Sequence, residues 1–225
     1  MLYFLDTGNL DDIRRAHDLY PLAGVTTNPT LIAREQTDFF GLLTQIRELI
    51  GADAMLHVQA ISQSAAGIIK EAQYLREQVG GNLYVKIPVI AEGVKAIKLL
   101  KHLGIKTTAT AVFTPQQALM AAVAGADFVA PYVNRLDNIC GNGGRVIGEI
   151  VELLRVHNLP AKVLAASFKN TEQVHLASLA GSHAVTVNPE ILDLLLRHPL
   201  TDSSVEQFVR DWEGFYGLGK VMTDV

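Results

Sequence analysis

Polar and apolar positions follow two regimes along this chain. Short apolar runs of four to eight residues recur: "LYFLD" (2–6), "AGVTT" (23–27), "AMLHVQAI" (54–61), "LYVKIP" (83–88), "KTTATAV" (106–112), "DFVAPYV" (127–133), "KVLAAS" (162–167) and "AVTV" (184–187). Their length and their β-branched content predict strands. Between them, as over 91–103, 114–124 and 144–157, apolar residues recur at i, i+3, i+4 and i+7, which predicts helices. Gly104, Gly125 and Gly181 follow helical stretches where a helix stop is expected. Eight strand–helix units in about 200 residues predict parallel strands and an α/β fold closed as a (β/α)₈ (TIM) barrel. An open doubly wound sheet is the alternative. It would more often carry a glycine-rich turn after the first strand, where this chain reads "LDTGNLDD".

The barrel is expected over residues 1–200, ending with an eighth helix near 189–197. A C-terminal helix and tail then occupy 201–225. Ser203 and Glu206 have capping-box spacing, and Val205, Phe208, Val209 and Trp212 make one apolar face. A closed barrel needs no ninth helix, so this face either covers the barrel's own base or docks onto a neighbouring subunit. The tail "GLGKVMTDV" (217–225) carries no motif.

Alternation sorts the strand side chains. In the fourth strand Leu83, Val85 and Ile87 face the helices, while Tyr84 and Lys86 face the lumen. In the third, Leu56 and Val58 point outward and His57 and Gln59 inward. Asp6 shares a side with Leu2 and Phe4, Thr108 with Thr110, and Phe128 with Ala130 and Tyr132. In the seventh strand Val163, Ala165 and Ser167 share a side. Polar groups therefore gather near the C-terminal ends of the strands, where active sites of such barrels lie: Asp6, Thr26, Asn28, Gln59, Lys86, Thr110, Tyr132 and Ser167. Taken singly, most have ordinary explanations, such as a helix cap for Asn28 or β-propensity for the threonines. A lysine in mid-strand does not, because burying an ammonium is costly. Three roles fit Lys86: an ion pair with Asp6, a point charge for phosphate, or an amine whose pKa is lowered by burial and which attacks a ketone to form a Schiff base.

Composition narrows the field. The chain has 225 residues, 49% of them hydrophobic, and a formal net charge of −4 with no long run of one sign. Nothing in it suggests nucleic-acid binding or a membrane surface. One cysteine, Cys140, precludes an internal disulfide and suits a reducing compartment. The N-terminus lacks a basic leader, and no apolar run nears the ~18 residues of a membrane span, so a cytoplasmic protein is expected. The seven histidines show no metal-ligand pairing, and no metal is expected. "GNGGRVIG" (141–148) lacks phosphate-loop and dinucleotide spacing and reads as a loop entering a helix.

"LAGVTTNPTLIA" (22–33), "VKIPV" (85–89), "AEGVKAIKLLKHLGI" (91–105), "APYVNRLD" (130–137) and "LAASFKN" (164–170) together resemble the transaldolase family. The likeness is to its short bacterial branch of small transaldolases and fructose-6-phosphate aldolases, and it runs from Met1 to about Trp212. It implies a class I aldolase barrel that needs no cofactor. By motif, it implies that Lys86 is the Schiff-base lysine and Asp6 the acid-base and hydroxyl-orienting carboxylate. Asn28, with Thr26 beside it, would hold donor hydroxyls. Arg135, Ser167 and, more weakly, Lys169 would bind the acceptor's phosphate. Two positions separate the branches. Transaldolases carry Glu where this chain has Gln59, and tend to carry Phe where it has Tyr132; the pairing here resembles the fructose-6-phosphate aldolases. Thr110 would hold a water with Gln59, and the small Ala130 leaves room beside the donor. The resemblance also implies sugar-phosphate substrates and a ring of five subunits, often stacked as ten. A transaldolase, or a barrel that only binds sugar phosphates, are the alternative readings.

Overall fold

The computed structural model describes all 225 residues. Eight parallel strands close into a barrel in chain order: β1 (Leu2–Asp6), β2 (Leu22–Thr26), β3 (Met55–Gln59), β4 (Leu83–Pro88), β5 (Thr107–Val112), β6 (Phe128–Pro131), β7 (Lys162–Ala165) and β8 (Ala184–Val187). β8 pairs back onto β1 through Leu2–Ala184 and Phe4–Thr186. Helices fill every crossover. α1 (Leu10–Leu19) follows β1, α2 (Pro29–Arg34) and α3 (Phe39–Ile50) follow β2, and α4 (Ala65–Val79) follows β3. α5 (Ala91–His102) and α6 (Pro115–Val123) follow β4 and β5. α7 (Val133–Asp137) and α8 (Gly143–Val156) follow β6, α9 (Thr171–Leu179) follows β7, and α10 (Pro189–Leu194) follows β8. The predicted (β/α)₈ barrel is the observed fold, and no helix is long and apolar enough to cross a membrane.

The two periodicities meet in the core. α8 buries Val146, Ile147, Ile150 and Leu154, and α3 buries Leu42, Leu43, Ile46 and Ile50. The α8 stripe lies against β6 and β7, and in the outward set of β3 and β4, Leu56, Val58, Val85 and Ile87 are fully buried. Each such side chain contributes about 1.5–3 kcal/mol. Inside the barrel, Phe4, Phe128, Ala130, Leu164 and Ala184 form a second cluster, with Leu2, Ala23, Met55 and Tyr84 packed on it. The three expected stop glycines, Gly104, Gly125 and Gly181, have φ of 65°, 104° and 85°, a region open to glycine at no steric cost. The glycine-rich stretch does enter a helix. A Cβ at Gly143 would lie 2.7 Å from Val133 Cγ1, so α8 can start against α7 only with glycine there.

Several expectations need correction. Ser167 does not reach the lumen side by sharing a face with Val163 and Ala165. Leu164 is the lumen residue of β7, and the strand stops at Ala165. Ala166 then makes an isolated bridge to Tyr132, and Ser167 turns into the left-handed region at φ 64°. Two-residue alternation ends where the strand ends, so the face of Ser167 follows from its backbone. Tyr132 likewise lies one residue past β6, as the residue preceding α7. In β5 the register to β6 slips between Ala109 and Val112, and Ala111 has φ 55°. The short helix α7 carries no periodicity long enough to be read from sequence.

By compactness the chain divides into Met1–Ile191, which holds the barrel, and Leu192–Val225. The second unit contains α11 (Pro199–Tyr216), which starts earlier than the Ser203 capping box predicts. Pro199 takes the first helical position, where its missing N–H costs nothing, and His198 Nδ1 accepts the Leu200 N–H at 3.2 Å. Ser203 lies inside the helix, its hydroxyl donating to the Leu200 carbonyl at 3.1 Å. No residue of α11 is buried; Val205, Phe208 and Val209 are all exposed.

Candidate active site

A cavity of about 980 Å³ opens at the C-terminal ends of the strands. Asp6, Thr26, Asn28, Gln59, Lys86, Thr110, Ala130, Tyr132, Arg135, Ser167 and Lys169, the residues singled out from sequence, all line it.

One side is built on regular strand ends. Lys86 projects from β4 into the lumen and is only 6% exposed. Its Nζ donates to the Thr27 carbonyl at 2.6 Å, so the ammonium has one short neutral acceptor where water would offer several. Burial pulls its pKa down, and the Asp6 charge offsets part of that effect. Burial raises the pKa of Asp6, against the opposing pull of Lys86 and a hydrogen bond from Thr26. That bond runs from Thr26 Oγ1 to Asp6 Oδ1 at 2.7 Å. Since Thr26 has one hydroxyl proton and gives it to the carboxylate, Thr186, 2.6 Å away, donates to Thr26. Asn28 is a helix cap as well as a lining residue: its Oδ1 accepts the Leu31 N–H at 3.1 Å, which leaves its amide N–H groups for another partner.

Beneath this polar layer the lumen is closed by rings. His57 stacks on Tyr84 (4.6 Å between centroids, 9° between planes) and meets Phe4 and Phe128 edge-on at 5.1 and 5.3 Å. Its Nδ1 pairs with Thr108 Oγ1 at 2.9 Å, and its Nε2 has no partner. Burial first, and the Lys86 charge second, hold His57 well below the ordinary histidine pKa, so it is neutral. This floor keeps water from the cavity bottom and is one reason the Lys86 ammonium is poorly solvated.

The other side is irregular. The Tyr132 hydroxyl is 2.9 Å from Thr110 Oγ1, and its ring packs edge-on against Phe113. The Arg135 guanidinium lies 5.1 Å from the Tyr132 ring centroid, within cation–π range. Arg135 and Lys169 are exposed, and Ser167 is half-buried. Gln59 is half-buried at the end of β3, opposite Lys86 in the ladder. Together these groups form a cationic and hydroxyl-bearing rim suited to a phosphate.

Several contributors were not identified from sequence as site residues, among them Thr186, the Thr27 carbonyl and Asn134. Thr186 lies two residues after Ala184 on the same face of β8, so alternation could have found it. The Thr27 carbonyl left no sequence signal, since any residue supplies one. Asn134 lines the cavity from α7, a helix too short to read.

The fold is a (β/α)₈ barrel with a polar cavity around a buried lysine at the C-terminal ends of its strands, and known proteins say which family it belongs to. Residues 3–218 match the Transaldolase/Fructose-6-phosphate aldolase family, to which the chain belongs. It is 44% identical over 213 residues to a protein of Streptococcus pneumoniae named probable fructose-6-phosphate aldolase, covering 94% of this chain and 96% of that one. It is 42% identical to a probable transaldolase of Clostridioides difficile, covering 95% and 98%, and 42% identical to one of Geobacillus kaustophilus, covering 94% and 98%. Among solved structures, a candidate fructose-1,6-biphosphate aldolase from Coccidioides immitis superposes with a TM-score of 0.56 at 18% identity, over 83% of this chain and 73% of that one. That likeness is one of fold.

Proposed function

We propose that the protein is a class I aldolase that cleaves and forms fructose 6-phosphate through a Schiff base on Lys86. The observation that carries this reading is the lysine itself: an amine 6% exposed, with its pKa lowered by burial, at the bottom of a polar cavity. The neutral amine adds to the ketone carbon of dihydroxyacetone and loses water to give an iminium, which is the electron sink. Tyr132, held by Thr110, gives its proton through a water placed by Gln59 to the departing hydroxide, and the phenolate then takes the proton of the adjacent carbon through the same water, leaving an enamine. Asp6 and Asn28 orient the donor hydroxyls, with Thr26 and Thr186 fixing Asp6. The enamine carbon attacks the aldehyde of glyceraldehyde 3-phosphate, whose phosphate rests on Arg135, Ser167 and Lys169, and Tyr132 returns its proton through the water to the new alkoxide. Water then adds to the new iminium, releasing product and free amine. No cofactor enters these steps.

Borohydride reduction in the presence of dihydroxyacetone tests the chemistry: mass spectrometry should find the reduced adduct on Lys86, and an unmodified lysine would end this reading. A second reading, transaldolase activity, is favoured by the names of several relatives. Release of glyceraldehyde 3-phosphate from fructose 6-phosphate without an added aldehyde supports the aldolase; strict dependence on erythrose 4-phosphate supports the transaldolase. A tyrosine that carries the proton makes a further demand. Tyr132→Phe should lower acceptor-free cleavage by about 10²–10⁴-fold, and an unchanged rate would remove Tyr132 from that role.

The exposed apolar side chains of α11 support reading it as a subunit-docking element of a homo-oligomer. Sedimentation should show a multimer that truncation before Pro199 dissociates.

A further inference from the structure

The three phosphate-facing residues proposed above come from two different crossovers. Arg135 is on α7 after β6, while Ser167 and Lys169 are in the loop after β7. A phosphate grip needs a fixed distance between them, and neither segment is regular. α7 has five residues and no side-chain cap, and Ser167 is left-handed. Two backbone bonds join them at one end: the Val133 N–H donates to the Ala166 carbonyl at 2.9 Å, and the Asn134 N–H to the Ser167 carbonyl at 2.8 Å.

A single side chain joins them at the other. Gln173, in the first turn of α9, is 8% exposed. Its Oε1 accepts the Lys169 N–H at 2.8 Å. Its Nε2 donates to Asp137 Oδ2 at 2.8 Å and Asn134 Oδ1 at 3.3 Å, both on α7. Asp137 Oδ1 in turn accepts the Gly143 N–H at 2.8 Å, which ties in the start of α8. One end of the amide meets a donor and the other meets acceptors, so its orientation is dictated and it cannot be flipped. Helix α9 already has a cap in Asn170, whose Oδ1 accepts the Gln173 N–H at 2.9 Å; the Gln173 side chain is therefore not needed to start it.

We propose that Gln173 is a positioning residue that sets the spacing between Arg135 and the Ser167–Lys169 loop, and thereby the enzyme's preference for phosphorylated acceptors. This rests on the phosphate-site reading given above. Gln173 does not line the cavity and touches no reacting atom. It acts by holding two cavity walls at one separation, and small misplacements of a binding group are amplified in rate and affinity.

The test compares glyceraldehyde 3-phosphate with unphosphorylated glyceraldehyde as acceptors of dihydroxyacetone. Gln173→Leu should raise KM for the phosphorylated aldehyde about tenfold with kcat little changed, and leave KM for glyceraldehyde where it was. The dissociation constant for inorganic phosphate, read by titration calorimetry, should rise by the same factor. Gln173→Glu keeps the Lys169 contact but sets two carboxylates face to face, so it should weaken phosphate binding similarly. Adding Asp137→Asn should restore it, because the new amide can donate to the new carboxylate. This pair also covers the case in which the leucine variant fails to fold. Equal losses for both acceptors, no rescue in the double variant, or no phosphate binding by the wild type would each overturn the proposal. A failure of the Schiff-base reading shows separately, as an untrapped Lys86, while the phosphate titration still decides the role of Gln173.

Discussion

The two sides of the cavity are built differently. On the lysine side, Asp6, Thr26 and Gln59 end their parallel strands and Lys86 lies within β4, two residues before its end. Their backbone bonds are satisfied by the ladder, Lys86 is buried, and its direction follows from alternation. On the side proposed to hold phosphate, Arg135, Ser167 and Lys169 stand on a five-residue helix and a loop with a left-handed serine. Arg135 and Lys169 are exposed there. The difference follows the chemistry proposed for each side. A reactive amine needs a desolvated, invariant position, which a closed sheet supplies. A phosphate is large, charged and arrives from solvent, and exposed cations on the rim can meet it without a burial cost.

If this contrast is right, substitutions on the two sides should fail in different ways. The largest effect should come from Lys86→Met, which removes the covalent centre: turnover should fall by at least about 10⁴-fold with the fold retained, as read by circular dichroism. Residual activity near the wild-type level would mean that the strand side is only a scaffold. Next in size, Arg135→Met removes charge-assisted bonds worth roughly 1.5–3 kcal/mol. It should raise KM for a phosphorylated acceptor by about 10–100-fold while borohydride trapping of dihydroxyacetone continues. Loss of trapping in this variant would erase the distinction between the sides.

The smallest effect, and the sharpest, is in the pH dependence. Burial lowers the pKa of Lys86 from 10.5, so the trapping rate should rise with pH and reach half its maximum below that value. Folding stability carries the same signature. Between the lowered folded value and 10.5 the unfolded chain holds a lysine proton that the folded chain sheds. The wild type should therefore gain stability relative to Lys86→Met as pH rises through that window. Asp6 acts in the opposite sense at acid pH. Its raised pKa means stability is lost as pH rises from 3.8 through the folded value. Thermal melts across pH, with and without Lys86, separate the two.

How much of this was legible from the chain follows the same divide. β1, β4 and β8 have the bounds read from the apolar runs, and the lumen placement of Tyr84 and Lys86 followed from alternation. On the far side, the motifs singled out Arg135, Ser167 and Lys169, and Ser167 does line the cavity, but not by sharing a strand face with Val163 and Ala165. The face was extrapolated past Ala165, where no ladder enforces it. Gln173 gave no signal, since a glutamine in the first turn of a short helix is ordinary.

Sequence by itself determined the barrel, the order of its strands and the inward set of β3 and β4. Those depend on local periodicity and on parallel sheets being covered on both faces, and both are written in consecutive residues. Tertiary structure alone decided that Thr27 offers its carbonyl to Lys86, that Thr186 steadies Asp6 through Thr26, and that Gln173 binds two crossovers together. These contacts join residues between 36 and 160 positions apart in the cases of Gln173–Asp137 and Thr26–Thr186. Their partners are chosen by barrel closure and by irregular backbone, which no local pattern encodes.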